Sequence, residues 1–319
     1  MRRREFITLF GAAMVWPGAA MAQGKMPRIG VLALGNPDPT LFLKGLKEGL
    51  RDLGYIEGQS IQFEFRSADR DPANLAPRAA ELVALKVDIL VPFQTPAATA
   101  AKQATKDIPI VMGGAGDPVG TGLVASLTHP GGNITGVSGA GTELGAKQLE
   151  LIREILPDAR RVGALINAPD PFSRPFLAQI QASAKALNIE LVPFMLNGAD
   201  GLEAAFDAMV KSRTNAVIVQ PSLPHEPTAR LALRHHLPSF SPNPLFPGSG
   251  GLVAYSAHYD SLYRDTASLV DKVLKGRSPG ELPVQLPSKF WLAINLKTAK
   301  AIGVTVPGVM LTRADEVIE

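Results

Sequence analysis

The chain has 319 residues, 46% hydrophobic and 19% charged, with 30 Gly, 27 Pro and no Cys. That is about two domains of chain with enough apolar matter for sizeable cores, which excludes a disordered protein, and the missing Cys excludes disulfides, zinc–thiolate and iron–sulfur sites, thiol nucleophiles and a lipid anchor on Cys. Of the net charge of +3, Arg2, Arg3, Arg4 and Glu5 supply +2, so the rest is nearly neutral and nucleic acid is excluded as a partner.

In chain order the first feature is a leader. The arginines precede an apolar stretch, 6–20, broken by Trp16-Pro17-Gly18, and Ala20-Met21-Ala22 stands before Gln23. This is the pattern of a signal peptide over 1–22 with cleavage after Ala22. The run is too short and interrupted to span a bilayer, which takes about 20 apolar residues. Arg3-Arg4-Glu5-Phe6-Ile7 also fits the twin-arginine pattern, a match that a plain basic leader produces as well. The mature protein is expected to be periplasmic and not a lipoprotein.

Strands and helices then alternate. An apolar run at 28–34 predicts a strand, a loop follows at 35–39, and a helix at 40–53 carries Leu43, Leu46, Leu50 and Leu53 on one stripe up to Gly54. Strands at 61–65, 88–91, 108–112 and 134–137 alternate with helices at 73–85 and 96–105. Residues 138–142 (Ser-Gly-Ala-Gly-Thr) predict a hinge. A second series has a helix at 143–156, a strand at 161–166, a helix at 172–187, strands at 190–194 and 216–219 with a helix at 202–211 between them, and a strand at 253–255 before a helix at 261–275. The expected fold is α/β, with two doubly wound parallel-sheet lobes joined by a hinge. Ligands of such sheets sit outside the carboxyl ends of the strands, so the strand-to-helix loops are candidate walls.

Thr95 and Pro96 open a helix after the third strand, as cap and first helical residue, and leave free N–H groups at its positive end for a carboxylate or phosphate; an ordinary cap has the same letters. The glycines of 113–116 allow close backbone approach. Asp117 beyond them either accepts a hydrogen from a ligand's ammonium or hydroxyl group or caps a helix after Pro118. Asn167, Phe172, Gln220 and Ser222 follow strands of the second series, Phe172 either stacking on a planar ligand or packing in the core. Gly120, Gly122 and Ala125 follow no strand directly, so no nucleotide site is expected there. The segment 136–140 lacks the final Gly of a nucleophile elbow, the five His residues include no zinc-protease spacing, and no phosphate-cradling Gly-x-x-x-x-Gly-Lys occurs. Neither a cofactor nor a metal is indicated, and the chain is not expected to be an enzyme.

Several segments carry a family likeness in the right order: Ile56-Glu57-Gly58-Gln59, Thr95-Pro96-Ala97-Ala98, Asp117-Pro118-Val119-Gly120, Pro130-Gly131-Gly132-Asn133, Ile294-Asn295-Leu296-Lys297 and Arg313-Ala314-Asp315-Glu316. Through them the chain resembles the ABC-transporter substrate-binding family that includes the tryptophan-binding lipoproteins. The resemblance implies the type I periplasmic-binding fold, with three crossovers and a ligand trapped by hinge closure. It implies lobe one at 27–138 plus 258–283 and lobe two at 139–257 plus 284–319. By position it implies a pocket of Gln94, Thr95, Ala97 and Asp117 from lobe one, with Asn167, Phe172, Ser222, Ser256 and Tyr259 from the other lobe and hinge. The implied partners are a small organic ligand, such as an amino acid or other carboxylate and including aromatic ones, and the membrane permease of an ABC importer. The protein itself is expected to be a monomer.

Two departures bear on the ligand. No Cys is present for lipidation, and 240–250 and 256–258 differ from the commoner family wording, which often has Tyr-Gly where Tyr255-Ser256 stands. No Arg or Lys falls in the chosen loops, so a polyanion does not fit. An alternative of another class is a secreted α/β hydrolase using Ser138 or Ser222 with His258. A regulator's effector core shares the fold but needs a DNA-binding segment before residue 27, where the leader stands.

Overall fold

The computed structural model describes residues 26–35 and 40–319; the leader read at 1–22 and residues 36–39 of the first loop lie outside the described residues. Strand β1 (Arg28–Ala33) is buried from its second residue on, as an apolar run must be when helices cover both faces of a parallel sheet. It pairs in parallel with β2 (Gln62–Ser67) and β3 (Ile89–Phe93). Strands β4 (Ile110–Ala115) and β5 (Ile134–Ser138) complete a five-stranded sheet in the order β2-β1-β3-β4-β5. Helices α1 (Thr40–Asp52), α2 (Leu75–Ala84) and α3 (Gln94–Ala104) connect its strands. Leu43, Leu46 and Leu50 of α1 are buried, but Leu53 is 43% exposed. The helix ends at Asp52 and the chain turns at Gly54, so the stripe stops one residue early.

After helix α4 (Gly141–Ile155), a second sheet is built from β6 (Arg161–Asn167), β7 (Glu190–Leu196), β8 (Ala216–Val219), β9 (Ser239–Ser241) and β10 (Val253–Ala257). Helices α5 (Ser173–Ala186), α6 (Leu202–Lys211) and α7 (His225–Arg234) join them. The chain then crosses to helix α8 (Tyr259–Leu274) and returns as β11 (Phe290–Asn295), α9 (Leu296–Ile302), α10 (Gly308–Arg313) and β12 (Glu316–Ile318). The sheet order is β7-β6-β8-β9-β10-β11-β12. One pairing departs from the all-parallel expectation: β11 runs antiparallel to β10, because the returning chain lies beside the strand that left. Helix α7 escapes the sequence pattern because its buried face is mostly small, Thr228, Ala229, Leu231 and Ala232. Strand β9 is too short to show a period.

The three passages between the sheets lie side by side. Ser138 N–H donates to Gln285 O (2.8 Å), Gln285 N–H to Gly136 O (2.9 Å) and His258 N–H to Lys289 O (3.0 Å). Val284 N–H donates to Leu127 O (2.7 Å) and Gln285 forms a parallel bridge with Val137, so both lie along the edge of the first sheet.

Helix α8 packs directly on β4 and β5 of the first sheet beside α1, and Gly45 and Gly49 set its distance from α1. A Cβ on Gly45 would lie 2.9 Å from Tyr263 Cβ, and one on Gly49 2.7 Å from Ala267 Cβ. Neither neighbour is a flexible chain end, so the helices must part to admit one. Gly49→Val is expected to destabilise the protein by about 1–3 kcal/mol in urea unfolding, whereas Leu53→Ala stays within about 0.5 kcal/mol.

Candidate ligand-binding cleft

The carboxyl ends of the strands in the two sheets face each other across two connected hollows. The inner cavity, about 60 Å³, lies against the crossovers and is bounded by Thr95, Gly116, Gly141, Asp170, Phe172 and Tyr263. That is room for about two water molecules. The outer chamber, about 270 Å³, opens beside Arg70, Asn167, His225 and Asn243. Gln94, Pro221, Ser222 and Tyr259 line both.

On the second lobe's wall the chemistry is organised by Asp170, a carboxylate only 4% exposed. Its Oδ1 accepts Phe172 N–H (2.9 Å), and its Oδ2 accepts Gln220 Nε2–H (2.9 Å) and Ser222 Oγ–H (2.6 Å). Asn167 joins the same network: its N–H donates to Gln220 Oε1 (2.8 Å), its Nδ2 to Ser222 Oγ (3.1 Å), and its Oδ1 accepts Gly198 N–H (3.1 Å). Burial pushes the Asp170 pKa above its ordinary 3.8, and the three donors oppose that shift without cancelling it. Asp170 sits in the loop 167–172 but was not among the residues read from the sequence. Its signal was a lone Asp between two prolines, which turn chemistry explains as well.

The first lobe's wall is built by α3, and here the structure corrects the sequence reading. The helix begins at Gln94 and its N-cap is Phe93, so Thr95 lies in the first turn and is not the cap. Its Oγ1 instead accepts the N–H of Gly116 (2.9 Å), tying α3 to the end of β4. Gln94 holds a left-handed backbone, φ 66°, a conformation that costs a non-glycine residue about 1–2 kcal/mol. Its side chain hydrogen-bonds the Tyr259 hydroxyl, whose pKa burial raises to about 12. Behind these two, the Tyr259 and Tyr263 rings lie 5.4 Å apart, and Phe93 meets Tyr263 edge-on at 4.9 Å.

Phe172 bridges the lobes. A Cβ on Gly116 of the first lobe, or on Gly141 at the hinge, would lie 2.6 Å from its ring. The two glycines are thus the socket into which the second lobe's Phe fits.

Of the nine residues read from the sequence, Gln94, Thr95, Phe172, Ser222 and Tyr259 line the inner cavity and Asn167 the outer chamber. Three do not. Asp117 caps a turn, its Oδ1 accepting Gly120 N–H (2.8 Å); Ala97 is fully buried in the first lobe's core; Ser256 is fully buried on β10, its Oγ without a partner among the described residues. Each is one register step off the cavity wall, a displacement the letters do not reveal.

A family model described as ABC transporter substrate binding protein matches residues 29–318. The chain belongs to this family. It is 31% identical over 285 residues to a tyrosine-binding protein of Clostridioides difficile, covering 87% of this chain and 81% of that one. Two solved structures are similar at 29% identity, each covering 92% of this chain and all of the other. One is a conserved domain protein from Vibrio cholerae (TM-score 0.85); the other is an ABC domain in complex with L-Trp from Streptococcus pneumonia (TM-score 0.83). The substrate-binding protein has the two-lobed type I periplasmic-binding fold.

The hydrolase alternative has no support in these relatives or in the geometry. Ser222 donates to Asp170 and Ser138 Oγ to Ala115 O (3.4 Å), while His258 Nδ1 accepts the N–H of Ser261 (3.3 Å) at the start of α8 and its ring lies against Trp291. No serine–histidine pair of the three forms a nucleophile and its base. Among the described residues no acidic or His cluster has the make-up of a metal site, and no helix is long and apolar enough to cross a membrane.

The raised Asp170 pKa fixes the sign of a pH effect. The folded protein holds this proton more tightly than the unfolded chain, so the unliganded protein loses stability as pH rises from about 3.8 through the folded pKa. Above that pH the penalty is complete. Asp170→Asn is expected to remove this component of the slope when urea unfolding is followed as the pH is raised from the ordinary carboxylate range.

Proposed function

We propose that this substrate-binding protein captures a free α-amino acid with an aromatic side chain between its lobes and delivers it to the permease of an ABC importer. One observation carries the reading. The inner cavity sets a buried carboxylate, Asp170, on one wall and the N-terminal turn of α3, with Thr95, on the other. A buried carboxylate attracts an ammonium group, and the first-turn N–H groups of a helix lack intrahelical acceptors and attract a carboxylate. The pair is matched to a zwitterion, and a cavity of about 60 Å³ is scaled to that head group and not to a whole ligand. The names of two relatives, a tyrosine-binding protein and a domain holding L-Trp, agree with this class.

In this reading the ligand contacts are Gln94, Thr95, Asn167, Phe172, Ser222 and Tyr259 of the sequence set, joined by Asp170. The moving bodies are 27–138 with 258–285 and 139–257 with 286–319, the protein works as a monomer, and no reaction is catalysed. A ligand touching both walls binds the closed state better than the open one and shifts the population toward closure.

Calorimetric titration of refolded, ligand-free protein with L-tryptophan and L-tyrosine tests the assignment. Asp170→Asn is expected to weaken binding about 10- to 100-fold, the scale of a hydrogen bond to a charged group, while small-angle scattering shows the wild type contracting with ligand. Undiminished binding by the variant, or no binding of either amino acid by the wild type, refutes the proposal. Family members work with transporters outside the cytoplasm, and we propose that residues 1–22 direct this one there. N-terminal sequencing of the exported protein is then expected to begin at Gln23, and a full-length cytoplasmic product contradicts it.

A further inference from the structure

We propose that the outer chamber is a separate subsite for the ligand's side chain, that it selects a planar ring with a polar, uncharged tip, and that Arg70 is the residue that reads the tip. The inference rests on the amino-acid reading above and adds to it where the side chain goes and what recognises its end.

The first argument is space. The inner cavity has room for a zwitterionic head group and is bounded by Phe172, whose ring sits against Gly116 and Gly141. The outer chamber is more than four times larger and communicates with it past Gln94, Ser222 and Tyr259. A side chain leaving the head group has this direction open to it.

The second argument is the character of the walls. Pro72, Pro221, Pro224 and Pro227 present flat, rigid apolar faces, and the rings of His225 and Tyr259 line the chamber with them. Such surfaces suit an aromatic ring, which brings large contact area at little conformational entropy. The imidazole of His225 is held by Pro221 O at 3.1 Å from Nε2, and burial together with the charge of Arg70 favours its neutral form. Among the described residues, the chamber's charged groups are then Arg70 from the first lobe and Glu226 from the second. With one of each sign, a fully charged side chain meets repulsion from one of them, whereas a hydroxyl or carboxamide can accept from Arg70 without it.

The third argument is how Arg70 is placed. Asp69 and Arg70 are consecutive non-glycine residues in the left-handed region, φ 54° and 69°. Both are exposed, so this strained turn adds nothing to the core. It is nonetheless firmly held: Ser67 Oγ donates to Gly35 O (2.8 Å) and accepts Asp69 N–H (2.9 Å), and Arg70 N–H donates to Leu34 O (2.8 Å). The consequence of the turn is to set Arg70 at the chamber wall, with its charge near enough to act on His225.

L-Tyrosine and L-phenylalanine differ only in the tip and make the test, with L-tryptophan as a third probe. In calorimetric titrations the wild type is expected to bind L-tyrosine at least about tenfold more tightly than L-phenylalanine, as a hydrogen bond from a charged donor implies. Arg70→Met, which keeps the apolar stem and removes the donors, is expected to lower tyrosine affinity about tenfold and phenylalanine affinity less than about twofold, so that the preference disappears. Arg70→Ala repeats the measurement should the Met variant melt at a lower temperature. A wild type that binds these amino acids without preferring tyrosine to phenylalanine, or an Arg70 variant that weakens both equally or neither, overturns the subsite while leaving the amino-acid reading intact. Failure of all three amino acids to bind the wild type overturns both.

Discussion

The burial of one carboxylate organises the ligand face of the second lobe. Asp170 gives up water and is left with three donors, from the backbone of its own loop, from Gln220 and from Ser222. Those donors come from the ends of two strands, β6 and β8, and Asn167 links both to the loop after β7 through Gly198. In a low-dielectric site each bond is worth more than in water, and losing any one leaves a buried group unsatisfied. The network is therefore rigid for the same reason that it is polar. What the three donors leave uncompensated is the charge itself, and in the proposed function a ligand's ammonium group supplies the complement.

At the inner cavity the first lobe presents no charged side chain among the described residues. It offers the end of a helix, a hydroxyl already committed to Gly116, and glycines that bring backbone close to the cavity. Gln94 is forced into a left-handed turn at the point where β3 passes directly into α3, and the Tyr259 hydroxyl meets its amide. Strain of this kind survives only where surrounding structure over-determines it, and here β3, α3 and the start of α8 converge. The cleft thus has a negative group on the second lobe and a positive helix end on the first. In the proposed function that arrangement makes ligand capture and lobe closure one event.

The crossovers explain how two sheets built from separate stretches of chain act as one binding device. They run adjacent and share backbone hydrogen bonds, Ser138 and Gly136 with Gln285 and His258 with Lys289. Helix α8 is the clearest case. It follows β10 of the second sheet in sequence, yet Gly45 and Gly49 let it seat against α1 of the first. Tyr259, its first residue, consequently stands where the chain changes lobes and where the inner and outer hollows meet.

Much of the architecture was determined by the sequence alone, because hydrophobic period and turn residues are local. The alternation of buried strands with amphipathic helices, the hinge glycines near 139–141, and the strand-end positions of Gln94, Thr95, Asn167, Phe172, Ser222 and Tyr259 were all legible from neighbouring letters. So were the absences that removed thiol chemistry. What the tertiary structure alone decided are relations between distant segments. Whether Asp170 or Asp117 faces the cavity depends on partners some 50 residues away in one case and 3 in the other; both are single aspartates beside a proline in a loop. Ala97 and Ser256 lie a step out of register, and sequence spacing does not resolve a step. Arg70 belongs to a loop after an edge strand that offered no motif, and only the approach of the second lobe turns that loop into a wall of the cleft. Local pattern sets which elements form, but a binding site is made where their ends converge, and that convergence is fixed by packing across the whole chain.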